Sequence, residues 1–551
     1  MTAIREPRDS RPDGSRSDGA EPEGLVTDSR PVPEASKQTA YASRLSQRRI
    51  IITVIAVMAG MFLAALDGTV VATALPTIAD QLHGLDLYTW VISGYLIAEV
   101  STIPLWGKFA DMYGRKSTFL CGMGVFLLGS FLSGFAQSMP QLVAFRAVQG
   151  IGAGCLLPVA QTISGDLFTL EQRVKVQAIF SAMFGFASIV GPFIGGFLTE
   201  KLSWRWVFYV NMPVGIIAGL LVMFALVEPL LRRIRHSIDW AGFFCLIALT
   251  CSLLYALEAG GRDFAWGSPV IVGALVVSVV SLGALAFFEL RAEEPMLPLS
   301  LFSIPILRAA SITSALIGMT MFGVVGFLPL FVQNVQGHSP TVAGRSLTPL
   351  MLGFMVSSFF SGRLLLRFGF RSMVFLGTSI AVVGLFLTTR FNVQTGQLAV
   401  GTAMVLIGFG FGICLVAAIL GAQSSVGQSR MGVATSLINF TRQIGGAIGI
   451  AVAGAIFFNP LAERLSVVFG RPFAAADLSS PSSTNSTVPK ALQPLVAQAF
   501  SSSLHELFVA CFVLGVVAIF TGLLMPRGRP QDMDMEATIE REHLVAGGLA
   551  D

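Results

Sequence analysis

The chain has 551 residues, of which 54% are hydrophobic and only 12% charged, with a net charge of +4. Soluble globular chains carry about 25% charged residues. So large a deficit leaves too little polar surface to hold this length in water, which excludes a soluble globular protein and places the chain in a bilayer.

The first 48 residues are polar, rich in Pro, Ser, Arg and Asp, and of mixed charge sign, the composition of a disordered arm. They lack the apolar centre of a signal peptide, so the first apolar run itself serves to target the chain. Fourteen apolar runs follow, at about 50–76, 88–107, 117–136, 141–164, 175–199, 205–228, 240–258, 268–289, 308–334, 343–366, 372–389, 397–421, 431–458 and 505–525. Runs of roughly 20 apolar residues span the hydrocarbon core as helices, and they lack the alternation of membrane β-strands. The spacing therefore predicts an all-α polytopic membrane protein with fourteen transmembrane helices. Before the last run, a Ser-, Thr- and Pro-rich segment at about 460–503 reads as a mobile outer loop. Residues 527–551 read as a tail.

With the N-terminus inside, the short inner loops carry fourteen Lys and Arg and the short outer loops five. That bias predicts both termini in the cytoplasm. All six cysteines lie within apolar runs and read as small packing residues, not as disulfides or a metal site. A repeat is visible. GKFADMYGRK (Gly107 to Lys116) follows the second run, and GRLLLRFGFR (Gly362 to Arg371) follows the tenth, with Gly, a basic residue, an aromatic, Gly and a basic residue at the same offsets. Duplicated six-helix halves produce such a pattern, with a binding site at their interface. The organisation read from it is an arm (1–48), a first half (49–230), two inserted helices (231–300), a second half (301–526) and the tail.

Five motifs in order then resemble the major facilitator superfamily, and within it the fourteen-helix drug:proton antiporter family, over Arg49 to Pro526. LDGTVVATALP (Leu66 to Pro76) resembles the family's first-helix motif, with Ala72 where Asn is usual. GKFADMYGRK resembles the superfamily's most widespread signature. RAVQGIGAG (Arg146 to Gly154), GPFIGG (Gly191 to Gly196) and WRWVFYVNMPVG (Trp204 to Gly215) resemble the fourth-helix, antiporter fifth-helix and sixth-helix segments. The resemblance implies a major facilitator fold of two six-helix halves plus two inserted helices, in the cytoplasmic (inner) membrane. The function it implies is export of hydrophobic or cationic drug-like molecules against protons.

Asp67 is nine residues from the end of its run at Pro76, so ~13 Å below the outer surface. A carboxylate there is costly unless paired or protonated. Burial disfavours its charge and a cation favours it. It is either a proton-coupling site or a fixed structural hydrogen bond. Arg146 lies at a similar depth in the fourth run, and the resemblance implies a coupling role for it. Its guanidinium stays charged and competes with the proton for a carboxylate. The other reading is a structural ion pair. Glu99, in the second run, is a further proton site, an attractor of cationic substrates or a neutral hydrogen-bonded carboxyl; the family motif requires no acid there.

Within Gly107–Lys116, the resemblance implies that Asp111 caps a neighbouring helix and pairs with arginine, with Gly107, Gly114, Arg115 and Lys116 completing a cytoplasmic gate. The alternative is a positive cluster that only sets topology. Leu366 stands where the second copy would need the aspartate, so the latch is one-sided. Gly191, Pro192, Gly195 and Gly196 permit close helix approach and bending, which serves a seal, a hinge or a plain packing seam. Trp90, Tyr95, Gln149, Phe184, Phe327, Gln333, Asn439 and Arg442 are candidates for the substrate cavity, with Phe322, Met319 and Met321 able to add adaptable apolar surface.

No GxxxxGK phosphate loop, catalytic triad or nucleic-acid module occurs in the sequence. The chain therefore reads as a non-enzyme with no cofactor, powered by a gradient. Its partners are protons, lipid and a small hydrophobic substrate. Export of a native lipid, siderophore or self-made antibiotic fits the same residues. A non-pumping channel or receptor-like protein fits the duplicated halves and the buried acid–base pair less well.

Overall fold

A computed structural model of the chain describes residues 46–83, 87–88, 90–227, 239–261, 264–292, 299–470 and 492–527. Most of the arm, most of the tail, and the linkers at 228–238, 293–298 and 471–491 lie outside the described residues. Among the described residues the architecture is all helical, and no strand occurs beyond an isolated bridge between Gly260 and Phe264.

In chain order the first half is α1 (Gln47–Gln81), α2 (Trp90–Tyr113), α3 (Arg115–Phe135), α4 (Met139–Leu167), α5 (Leu170–Lys201) and α6 (Trp206–Ala225). The inserted pair is α7 (Trp240–Ala259) and α8 (Pro269–Glu289). The second half opens with α9 (Pro305–Leu330), which runs on into a π-helical turn at Phe331–Val335. Thr348–Thr388 is a single 41-residue run broken at Gly369, giving α10 (348–368) and α11 (370–388). Then follow α12 (Gln397–Ser424), α13 (Met431–Phe469) and α14 (Gln493–Leu524).

Eleven helical segments among the described residues are long and apolar enough to cross a membrane, with α10 and α11 together forming one of them. The helices α2 and α5, of 24 and 32 residues, lie outside that set. Local chemistry fixes several helix starts. The Asp239 carboxylate accepts from the Gly242 amide at 2.8 Å to open α7. Pro269 occupies the first turn of α8, and the Ser268 hydroxyl accepts from the Ile271 amide at 3.3 Å. Both devices satisfy amides that have no partner inside the helix.

The two halves are separate in their packing. Two apolar clusters fall wholly within α1–α6, one around Phe119, Phe126 and Phe180 and the other around Leu75, Trp204 and Phe208. Two others fall within the second half, around Phe331, Phe457 and Phe508 and around Phe370, Met373 and Leu437. The halves meet where α13 packs on α2 and α4, and where α5 packs on α10 and α12. The inserted α7 lies against α2 and α13, the two helices that form one of those seams.

The segment from 460, read above as a mobile loop, is helical at both of its ends. Leu461 and Leu465 recur at helical spacing and are buried with Val496 and Phe500, so α13 continues through Pro460 to Phe469. Arg464 ties this extension to α14, donating to the Ser503 hydroxyl at 2.6 Å and pairing with Glu506. Only 471–491 of that segment remains outside the described residues.

Candidate functional site

Asp67 lies in the middle of α1 and is 1% exposed. Its carboxylate is met by side chains from two other helices. Arg146 of α4 pairs with Oδ2 through Nη1. Gln149, one turn on, donates to Oδ1 at 2.8 Å, and Asn211 of α6 donates to the same oxygen at 3.2 Å. Asn211 is held in turn by Ser130 of α3, to whose hydroxyl it donates at 3.0 Å. Arg146 also donates from Nη1 to Gln149 Oε1 at 2.8 Å and from Nε to the Val91 carbonyl at 3.4 Å. The Tyr95 ring lies 4.0 Å from its guanidinium carbon, a cation–π contact. A buried charge survives only with such pairing and hydrogen bonding.

Small residues make this cluster possible. Gly150 and Gly154 let α4 approach the backbone of α2, and a Cβ on Gly154 would stand 2.6 Å from the Glu99 carbonyl oxygen. On the other side, Gly191 and Gly195 bring α5 onto α1. A Cβ at either position would overlap a threonine hydroxyl, that of Thr69 or Thr73, while a Cβ on Gly196 would meet nothing. Thr69 donates to the Leu66 carbonyl at 2.9 Å and to the Ala187 carbonyl of α5 at 3.5 Å. Gly191 and Gly195 thus seat α5 against α1 beside and just beyond Asp67. Pro192 lies within α5, with its side chain outside the described part of the structure.

Glu99 stands apart from this cluster, on the seam between the halves. Gln443 of α13 donates to its Oε1 at 3.4 Å. Arg442, adjacent in α13, has a buried Nε with no hydrogen-bond partner in the structure. An acid of one half and cationic and amide groups of the other therefore face each other across the seam.

At one end of the seam the halves are locked together. Asp111 accepts from the Gly432 amide at 3.0 Å and the Val433 amide at 2.9 Å, capping the N-terminus of α13. Arg115 pairs with Asp111 at 3.0 Å and with Asp166 of α4 at 2.7 Å. Gly107 lies against Gly432 and Ser436, where a Cβ would not fit. Gly114 takes φ 93° and ψ 154° between α2 and α3, and Lys116 is half-buried in the first turn of α3. Nearby, Asn439 donates to Gln161 Oε1 at 2.7 Å and Gln423 to the Gln161 carbonyl at 3.2 Å, two further bonds between halves.

The remaining cavity candidates are dispersed. Tyr95 and Gln149 belong to the Asp67 cluster, and Asn439 to the locked end of the seam. Phe327 is buried beside Phe457, with ring centroids 5.4 Å apart. Phe184 packs on the first-half core. Gln333 sits half-buried in the π-helical turn. Trp90 stacks on Tyr255 of the inserted α7 at 5.5 Å. Asn211 was not singled out in the sequence; an amide within the sixth-helix motif WRWVFYVNMPVG is the signal that marks it.

The profile of the Major Facilitator Superfamily matches residues 57–450. The chain is 34% identical to the multidrug transporter protein MdtP of Bacillus subtilis (strain 168), over 87% of this chain and 94% of that relative. It is also 34% identical to multidrug resistance protein 3 of the same organism, over 86% of this chain and 95% of that one. Among solved structures, the human organic anion transporter MFSD10 superimposes with a TM-score of 0.55 at 15% identity, covering 84% of this chain and 99% of that chain.

Proposed function

The chain belongs to the Major Facilitator Superfamily, and from that membership we propose that it is a proton-coupled antiporter exporting hydrophobic or cationic drug-like molecules across the cytoplasmic membrane. Its two bacillary relatives, a multidrug transporter and a multidrug resistance protein, support drug export. In this reading α1–α14 all cross the membrane, six in each half and two between, with both termini cytoplasmic and the Asp111 end of the seam facing the cytoplasm.

The observation that carries proton coupling is the Asp67 cluster. Arg146, Gln149 and Asn211 meet a single carboxylate held inside the protein. A proton added to Asp67 removes the charge that holds Arg146 and converts an acceptor into a donor. The partners on α4 and α6 must then rearrange around it, and α5, pressed on the same turn of α1, must move with them. Protonation thereby acts on helix packing, the step that exchange of a proton for a substrate requires.

The test is transport in everted membrane vesicles energised to an inside-acid gradient, with ethidium as the reporter. Uptake is expected to collapse with an uncoupler and to vanish in Asp67→Asn. Uphill uptake that persists after the gradient is dissipated rules out proton coupling. Undiminished uptake by Asp67→Asn rules out Asp67 as the coupling site.

A further inference from the structure

One end of the second half is basic and has no acid of its own. From Leu299 to Ala462 the sequence holds no Asp or Glu. Yet Arg308 lies in the first turn of α9, Arg363 and Arg367 lie near the end of α10, Arg371 opens α11, and Arg430 precedes α13. Arg527 follows α14. Their neighbours in the chain, Leu307, Leu364, Phe370, Val433 and Met525, pack in one apolar cluster, so these five helix ends converge. Arg371 is half-buried and the other five arginines are exposed. Among the described residues none of the six forms a side-chain ion pair or hydrogen bond. The acids of the first half at this end, Asp111 and Asp166, both bond Arg115. A bias that sets topology explains basic loops, but the first half meets it with acids among its bases, and the second half has none there.

We propose that this end of the second half binds an anionic phospholipid, with Arg371 and Arg527 on the headgroup phosphate and the acyl chains along α11 and α14. The partner is a component of the bilayer and not the transported molecule, so the proposal goes beyond the export reading. The end of α14 is seated on the start of α11, where a Cβ on Gly522 would stand 3.2 Å from the Phe375 amide nitrogen. Arg371 and Arg527 therefore flank one contact. Phe375 is one turn from Arg371 on the same face of α11, and it is exposed, as are Leu523 and Leu524 of α14. An apolar track thus starts where the two guanidiniums lie. A guanidinium presents paired N–H donors that match phosphate oxygens, and clustered arginines without acids repel one another until an anion joins them. A basic site at the end of spanning helices, with apolar surface running away from it, has the layout of a lipid and not of a free anion.

Lipid binding to the full chain purified in dodecylmaltoside tests this, with dioleoyl phosphatidylglycerol and dioleoyl phosphatidylcholine compared by native mass spectrometry and thermal unfolding. The wild type is expected to retain phosphatidylglycerol and to be stabilised by it, and phosphatidylcholine should do neither. The double variant Arg371→Gln/Arg527→Gln should bind phosphatidylglycerol about thirtyfold more weakly, two charges beside an anionic headgroup being removed. Arg371→Lys/Arg527→Lys, which keeps both charges, should bind more tightly than the glutamine variant. Arg345→Gln/Arg390→Gln removes the same charge at the far ends of α10 and α11 and should bind as the wild type does. Unfolding of every variant in phosphatidylcholine, within a few degrees of the wild type, excludes loss of the fold. Equal binding of the two lipids by the wild type overturns the proposal, as does an equal loss in the Arg345/Arg390 variant. Stabilisation by glycerol phosphate as large as that by the lipid would also overturn it, by marking a site for small anions. No step of this measurement needs transport, so its outcome is separate from that of the vesicle assay.

Discussion

Gly191 of α5 lies against Thr69 of α1 so closely that a Cβ on the glycine would overlap the threonine hydroxyl. Thr69 itself bonds the Ala187 carbonyl at 3.5 Å, so neither partner is free to withdraw. Gly191→Ala must therefore spread α5 from α1 beside Asp67, at a cost of about 1–3 kcal/mol for an overpacked contact. Gly196 is five residues on, on another face of α5 where a Cβ meets nothing. In vesicle transport, Gly191→Ala is expected to lose most activity and Gly196→Ala to retain it. Equal activities would show that the glycine contact plays no part in exchange.

Asn211 holds Asp67 from a third helix, donating at 3.2 Å while anchored to Ser130 at 3.0 Å. Asn211→Ala removes one donor but leaves the Arg146 pair. A hydrogen bond to a charged group contributes about 1.5–3 kcal/mol, so roughly a tenfold or greater loss in transport is expected. The loss should be smaller than for Arg146→Ala, which leaves a buried carboxylate without its cation. Initial rates of ethidium uptake, compared at equal protein in the membrane, measure the ordering Asn211→Ala above Arg146→Ala.

Much of this arrangement was legible in the sequence. The apolar runs coincide with helices because hydrophobic length is a strong signal, although among the described residues only eleven segments are long and apolar enough to cross a membrane, and α2 and α5 are not among them. The depth argument placed Asp67 and Arg146 at one level, and they pair. What the sequence could not supply is direction. Tyr95, Gln149 and Asn439 were equally good candidates for a cavity wall, since a polar or aromatic side chain in a span looks alike whether it lines a cavity or bonds a neighbouring helix. The first two turn to Arg146 and Asp67, and Asn439 turns to Gln161. The helical ends of the 460–503 segment were obscured by Pro460 and by the Ser-rich composition between them, although Leu461, Leu465, Val496 and Phe500 carry helical spacing. The inserted hairpin gave no hint of its position, because nothing in α7 and α8 encodes which seam they cover.

Asp111 joins the two halves through the first amides of α13, and Arg115 braces it. Asp111→Ala deletes all of these bonds at once, while Arg115 keeps its pair with Asp166 and its bond to the Ala110 carbonyl at 2.9 Å. The locked end of the seam should then open in a larger share of molecules. Spin labels at Ser117 and Ser429, both exposed at this end, report the separation of the halves. A wider or bimodal distance distribution is expected for Asp111→Ala, and a single unchanged distance would show that the latch does not hold the closed state.

Gly114 and Gly369 occupy matching places in the two copies of the loop, and both take conformations that only glycine adopts readily, φ 93°, ψ 154° and φ 78°, ψ 170°. Each turns the chain between consecutive helices, so the repeat is conserved in backbone shape within this molecule even where Leu366 replaces the aspartate. A side chain at either site costs about 1–3 kcal/mol of backbone strain. Gly114→Ala and Gly369→Ala are therefore expected to lower thermal stability by similar amounts, a few degrees for a chain of this size. Their conformational effects should differ. Gly114 directly precedes Arg115, which braces Asp111, so Gly114→Ala should also widen the Ser117–Ser429 distance. Gly369 precedes Phe370, which is buried in the apolar core of the second half, and Gly369→Ala should leave that distance unchanged. Equal distance changes in the two variants would mean that strain at either loop, and not the Asp111 latch, governs closure of the seam.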